Sequence, residues 1–187
     1  MNITIVGPRS VGKSTISKKL SDKLEYKYVE SDDLMNKKMK EYGGLDKVIK
    51  SGKTEFLMKK GLEVIKKTLD NKDEIVFDLP GGSISSKKGT KMGICQKVIK
   101  VIKKKSFVIG LFPYDCDKKS IDLLYQRERK RDHFANMNYK KLNKKVKDDY
   151  IKLKPILKKV SDLVIKTGKK EPKIITNEIF QEIQELI

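Results

Sequence analysis

Residues 7–15 read Gly-Pro-Arg-Ser-Val-Gly-Lys-Ser-Thr: a glycine, four residues, then Gly12, Lys13 and Ser14. A loop with that spacing can wrap a chain of phosphates. Its backbone N–H groups and the N-terminus of a following helix make a nest for phosphate oxygens. Lys13 would reach the β- and γ-phosphates, and the Ser14 hydroxyl would ligate Mg²⁺. The flanks agree. Ile3, Thr4, Ile5 and Val6 form a β-branched, apolar run that reads as a buried strand, and Ile16, Leu20 and Leu24 share one helical face. Gly7, Pro8, Arg9, Ser10, Val11, Gly12, Lys13, Ser14 and Thr15 are therefore expected to bind a nucleoside triphosphate.

Other stretches carry acid–base and electrostatic chemistry. Glu30, Asp32 and Asp33 follow a second strand-like run. One such carboxylate can hold Mg²⁺ through water, and another can take a proton from a hydroxyl. Asp32 is the residue expected to do so, although Ser31 or Asp32 could also simply cap a helix beginning near Leu34. Asp78 closes the apolar run Ile75-Val76-Phe77, where phosphate-loop proteins place a second acid on the metal or its water. Gly81 and Gly82 would let a substrate approach the backbone closely. Of 44 basic residues only Arg9, Arg127, Arg129 and Arg131 are arginine. Arginine offers a planar fork suited to phosphate, and phosphoryl-transfer enzymes place it over the transferred group. An exposed helix on which Glu128 pairs locally is the alternative for the arginine run.

Five strands must position these residues: 3–6, 26–30, 75–78, 107–111 and 162–166. Helical patterns alternate with them, which implies α/β architecture with a parallel sheet covered on both faces. A last helix is expected over about 177–187. Ligands of such sheets sit at the carboxyl ends of the strands, where the phosphate loop, Glu30–Asp32 and Asp78–Gly82 all fall. The lysine-rich residues 138–147 fit a lid or the helix after one.

At 187 residues a single domain over 1–187 is expected. No apolar run approaches a membrane span. The first residues read as a core strand and not a secretion signal. Cys95 and Cys116 have no metal-like spacing, which suggests a reducing, cytoplasmic setting. The formal charge of +19 could mean a nucleic-acid partner. The lysines are spread along the whole chain, however, so a solvated surface is the favoured reading and a nucleic-acid-stimulated ATPase the weaker one. A GTPase is a further alternative, because Asp78-x-x-Gly81 has the spacing of a switch motif. Asn71-Lys72-Asp73-Glu74 precedes the third strand, which is the wrong place for reading guanine.

The order of motifs resembles the shikimate kinases, small phosphate-loop kinases related to nucleoside-monophosphate kinases. GPRSVGKSTI is similar to their opening loop, and Tyr28-Val29-Glu30-Ser31-Asp32 to their second-strand stretch. Pro80-Gly81-Gly82-Ser83 is similar to their glycine triplet, and Gln126 to Arg131 to their lid. Pro155 to Thr167 and Thr167-Gly168-Lys169 are similar to their last helix, strand and adenine-side loop. The resemblance implies a three-layer fold with strand order 2-3-1-4-5, ATP and Mg²⁺ as cofactors, and a monomer acting on a small-molecule hydroxyl. It implies catalysis by Lys13, Asp32 and Arg131 and nucleotide contacts from Arg127 and Lys169. Ser14, Asp32 and Asp78 would serve the metal. The acceptor would bind in residues 33–74, at Asp32, Gly81, Gly82 and Lys59, and residues 113–145 would close as a lid.

The chain departs from the family where the acceptor carboxylate is held. Both arginines of that site are leucine here, Leu57 and Leu153. A charge-assisted hydrogen bond is worth roughly 1.5–3 kcal/mol. Losing two costs about 3–6 kcal/mol, roughly a hundred- to ten-thousand-fold in affinity. Lys53, Lys59, Lys60, Lys152 or Lys154 could compensate, though without a bidentate fork. Otherwise the acceptor is less acidic: a polyol, sugar or nucleoside. A nucleoside monophosphate is disfavoured, since residues 33–74 contain no arginine. Glu30, Pro80 and Asp132-His133-Phe134 are further departures.

Overall fold

Short β-branched runs build the sheet. β1 (Ile3–Val6), β2 (Lys27–Glu30), β3 (Ile75–Asp78), β4 (Phe107–Phe112) and β5 (Leu163–Lys166) are all parallel, in the order β2-β3-β1-β4-β5. The computed structural model describes residues 1–71, 74–86, 89–131 and 137–185. Every residue of β1 and of β3 is buried. That explains their unbroken apolar sequences: a central parallel strand has helices on both sides and no wet face.

The two faces are separate cores. On one, Ile3, Ile5, Ile109 and Leu111 pack against α1 (Lys13–Leu24), α6 (Asp117–Arg129) and α8 (Pro172–Gln184) through Ile16, Leu20, Leu124, Ile175 and Ile179. On the other, Val6, Phe77, Val108 and Phe112 meet α4 (Thr54–Asp70) and α5 (Gly89–Lys105) through Ile65, Leu69, Val98 and Ile102. Helix α7 (Tyr139–Val160) serves both, with Tyr150 in the first core and Leu153, Leu157 and Val160 in the second. It therefore crosses the end of the sheet where the loops gather.

The expected strands, order and layers are those observed. Several boundaries differ. The helix after β2 starts at Ser31, not near Leu34: α2 is Ser31–Met39, with Glu30 at the N-cap in extended backbone and no side-chain cap. Asp32 therefore sits in the first helical turn, where a carboxylate is favoured by the helix dipole. Residues 40–70 add a 3₁₀ turn (Lys40–Tyr42), α3 (Leu45–Lys50) and α4, so three helices and not one separate β2 from β3. The last helix begins at Pro172, five residues earlier than expected, because proline suits the first helical turn. Residues 138–147 are the start of α7: the Asn138 side chain accepts from Lys140 N, and Leu142 is buried. Asp132, His133 and Phe134 lie outside the described residues.

Candidate active site

Register brings the acids to the loop. Glu30 and Asp78 are paired neighbours at the ends of β2 and β3, and Asp78 lies beside Ile5 of β1. The phosphate loop leaves β1 two residues later. Gly12 has φ 107°, and α1 starts at Lys13. A Cβ at Gly7 would come 2.9 Å from Leu111 O, so the loop's first turn needs glycine. Pro8, Arg9, Ser10, Gly12, Lys13, Ser14 and Thr15 border a cavity of about 660 Å³, together with Glu30, Asp32, Asp78 and Arg131. Val11 points the other way, into the core, where it is 1% exposed.

Ser14 Oγ donates to Asp78 Oδ2 at 2.6 Å. Burial pushes the Asp78 carboxyl above its ordinary pKa, against the opposing pull of Ser14 and Lys13. Burial likewise holds the Lys13 ammonium below its ordinary pKa, while Asp78 and Asp32 raise it and Arg131 and Arg9 lower it further. Lys13, Asp78, Asp32, Arg131 and Arg9 thus act on one another around one cavity. Beside them, Tyr28 Oη donates to Glu30 Oε2 at 3.1 Å. Burial, then the charges of Asp78 and Glu30, raise the Tyr28 pKa, so this phenol stays protonated.

A second cavity of about 240 Å³ opens between α2, α4 and α5, lined by Met35, Leu57, Met58, Leu62, Ile94 and Val98 among others. Its polar groups are Ser31, Asp32, Thr54 and Ser83. Asp32, Pro80 and Gly82 border both cavities. Asp32 is thereby the carboxylate at the junction between the phosphate loop and an apolar pocket. Gly81 and Gly82, in a 3₁₀ turn (Gly81–Ser83), differ in role. Gly82 is open, with no atom within 4 Å of a built Cβ. A Cβ at Gly81 would meet Leu153 Cδ2 at 2.6 Å and Gly7 O at 2.8 Å. Gly81 is thus a packing joint between loop and α7.

The remaining expected residues fall in three places. Arg131 borders the large cavity. Arg127 lies behind the loop: Nη1 donates to Val11 O at 3.2 Å and Nη2 to Gly168 O at 3.1 Å. It ties the phosphate loop to the loop after β5, where Lys169 is exposed. Lys59 borders neither cavity; it is exposed and pairs with Glu55 at 2.9 Å, because its position on α4 faces solvent. The α7 residues Lys145, Asp149 and Lys152 do border the large cavity. Of these only Lys152 had a sequence signal, as a neighbour of Leu153.

The donor set suits a hard divalent ion held chiefly by substrate phosphates. Ser14 and Asp78 supply adjacent oxygens, and among the described residues no cluster of three His, Cys, Asp or Glu side chains could cage a metal.

A family model described as shikimate kinase matches residues 9–184. A shikimate kinase of Wigglesworthia glossinidia brevipalpis is 28% identical over 191 residues, covering 97% of this chain and 95% of that protein. A shikimate kinase of Francisella tularensis subsp. holarctica is 36% identical over 85 residues, so this chain spans about half the length of that relative (46%) and matches with 44% of its own. The solved shikimate kinase from Acinetobacter baumannii in complex with shikimate superposes with a TM-score of 0.77 at 20% identity, covering 98% of this chain and 93% of that one. That likeness shows the phosphate-loop kinase fold. The family match runs from Arg9, inside the loop, past the acids at the strand ends and the arginine turn, and the chain belongs to the shikimate kinase family.

Proposed function

We propose that the protein transfers the γ-phosphoryl group of ATP to a hydroxyl of a small molecule, with shikimate the acceptor its family indicates. The observation that carries this reading is Asp32 at the border shared by the phosphate-loop cavity and the apolar pocket. A carboxylate there faces a phosphate on one side and an acceptor on the other.

The loop amides, Lys13 and Arg131 hold the β- and γ-phosphates and offset the charge that spreads over the transferred group. Ser14 would ligate Mg²⁺, with Asp78 and Asp32 serving the ion or its waters; when bound, the ion would neutralise phosphate charge. The acceptor oxygen forms a bond to the γ-phosphorus as the bond to the β–γ bridging oxygen breaks. The hydroxyl proton passes to Asp32, and ADP leaves. Arg127 fixes the loop against the adenine-side turn.

Leu57 and Leu153 favour a second reading of the acceptor. Leu57 lines the apolar pocket, whose described lining contains no lysine or arginine, and Leu153 fills the space beside Gly81. An uncharged polyol, sugar or nucleoside fits that lining better than a carboxylate. Of the lysines that could compensate, Lys152 borders the large cavity, which supports it as a partner for an acceptor carboxylate. ADP release from Mg-ATP with shikimate, and then with neutral polyols, sugars and nucleosides, separates the two readings. Shikimate-stimulated release that is lost in Lys152→Met supports the first. Release only with uncharged acceptors supports the second, and release with none overturns the kinase reading.

Two further features complete the proposal. Both cysteines are free, in accord with a reducing cytoplasm. No helix among the described residues is long and apolar enough to cross a membrane.

A further inference from the structure

The last turn of α6 grips the phosphate loop, and its Glu128 borders the large cavity. Glu128 is 3% exposed, yet it is a carboxylate 118 residues from the loop in sequence. It accepts a hydrogen bond from Ser10 Oγ, and its other oxygen lies 2.5 Å from Arg9 Nε. A carboxylate this deep needs such partners, because burying one alone is very costly. The neighbouring Arg127 also donates to Ser10 O at 3.4 Å.

Ser10 has a reason to be held. Its φ is 63°, and among the described residues only Glu25 is also a non-glycine with positive φ. Glu25 ends helix α1, where left-handed backbone is ordinary. Ser10 stands in the middle of the loop, where no helix end accounts for it. A Cβ in that conformation crowds the following carbonyl. The side-chain bond to Glu128 and the Arg127 bond to its carbonyl offset that cost. The same turn carries Arg131, whose N donates to Glu128 O at 3.0 Å.

We infer that Glu128 is a positioning residue for phosphoryl transfer: it holds Ser10 in the left-handed conformation and ties the phosphate loop to the turn that carries Arg131. The inference rests on the nucleotide-binding reading of the loop. Glu128 itself touches no phosphate in this account; it acts through Ser10 and Arg9.

The test is calorimetric titration of the full chain with Mg-ATP, for wild type, Ser10→Ala, Ser10→Gly, Glu128→Ala and the double variants, with melting temperatures alongside. Both Ser10 variants lose the hydroxyl, but only alanine keeps a Cβ that needs support. Ser10→Ala should therefore bind ATP more weakly than Ser10→Gly, by roughly 5- to 30-fold. In the Glu128→Ala background, Ser10→Ala should cost less than about twofold more, since the bond it removes is already gone. A purely structural Glu128 would lower the melting temperature while Ser10→Ala kept its full effect on ATP affinity in the Glu128→Ala background. Equal ATP affinity of Ser10→Ala and Ser10→Gly overturns the inference, as does full additivity with Glu128→Ala. If Glu128→Ala does not fold, Glu128→Met, which fills the same space without accepting the Ser10 bond, takes its place in the double variants. Failure of the wild type to bind Mg-ATP would overturn the nucleotide reading and this inference with it. Binding by the wild type with indistinguishable Ser10 variants overturns this inference only.

Discussion

Lys13 carries a charge that its surroundings disfavour. Burial lowers its pKa despite Asp78 and Asp32, so the ammonium destabilises the protein until a phosphate pairs with it. Between the lowered pKa and the ordinary 10.5, the unfolded chain holds more protons than the folded one. The cost is thus fully present below that window and relieved as pH rises through it. Lys13→Met is expected to abolish transfer and yet melt at an equal or higher temperature at neutral pH, an advantage that narrows as pH approaches the lysine range; thermal melts against pH check this. Asp78 has the opposite sign. Its pKa is raised by burial, so its cost is absent below the ordinary 3.8 and appears as pH rises through the raised value. Asp32→Asn should cut turnover by about 10²–10⁴-fold and ATP affinity far less, as single-turnover kinetics with parallel titration would show. Intact turnover would mean that Asp32 is not the base. That Lys13, Ser14, Asp32 and Asp78 gather around one cavity was legible in the sequence, because the phosphate-loop spacing is local and strand ends are where loops converge. Glu128 was not. Its neighbours in sequence suggested local pairing, and no periodicity encodes a bond to Ser10 across 118 residues.

The elements place these residues with little slack. The turn after β3 and helix α7 meet at Gly81, where a Cβ would lie 2.8 Å from the carbonyl oxygen of Gly7 and 2.6 Å from Leu153 Cδ2. Backbone cannot yield there, so Gly81→Ala is expected to cost about 1–3 kcal/mol and to weaken ATP binding by shifting the loop. Gly82→Ala, facing open space, should leave stability within about 0.5 kcal/mol; denaturant melts of the two variants compare them directly. Leu153→Arg puts a guanidinium into the large cavity that Leu153 borders. It should strengthen carboxylate acceptors by roughly 10- to 100-fold, read as a fall in KM. The five strands were legible because short β-branched runs alternate with helical spacing. The α2 boundary was missed because Ser31 and Asp32 look like caps, although here they are already helical. Three helices between β2 and β3 were not separable in a lysine-rich stretch whose apolar residues follow one another closely.

The whole molecule carries +19. Ion pairs among the described residues are mostly exposed, such as Lys145–Asp149 and Lys38–Glu41, and pairs of that kind contribute little. Self-repulsion should dominate, so raising salt from about 0.02 to 0.3 M should raise the melting temperature as the Debye length shortens. The charge is spread over the whole sequence, so RNA or DNA is expected to leave ATP turnover unstimulated, whereas a nucleic-acid-driven ATPase would accelerate and lose that gain steeply with salt.

The fate of the γ-phosphate separates a kinase from a simple ATPase. Purified protein would be incubated with Mg-ATP labelled in that phosphate, alone and with shikimate or uncharged polyols, sugars and nucleosides, and the products separated by mass. Release is expected to be slow without acceptor and, with the right one, to yield one phosphate ester for each ADP. Label appearing only as inorganic phosphate, at a rate that no hydroxyl compound changes, would contradict the kinase reading.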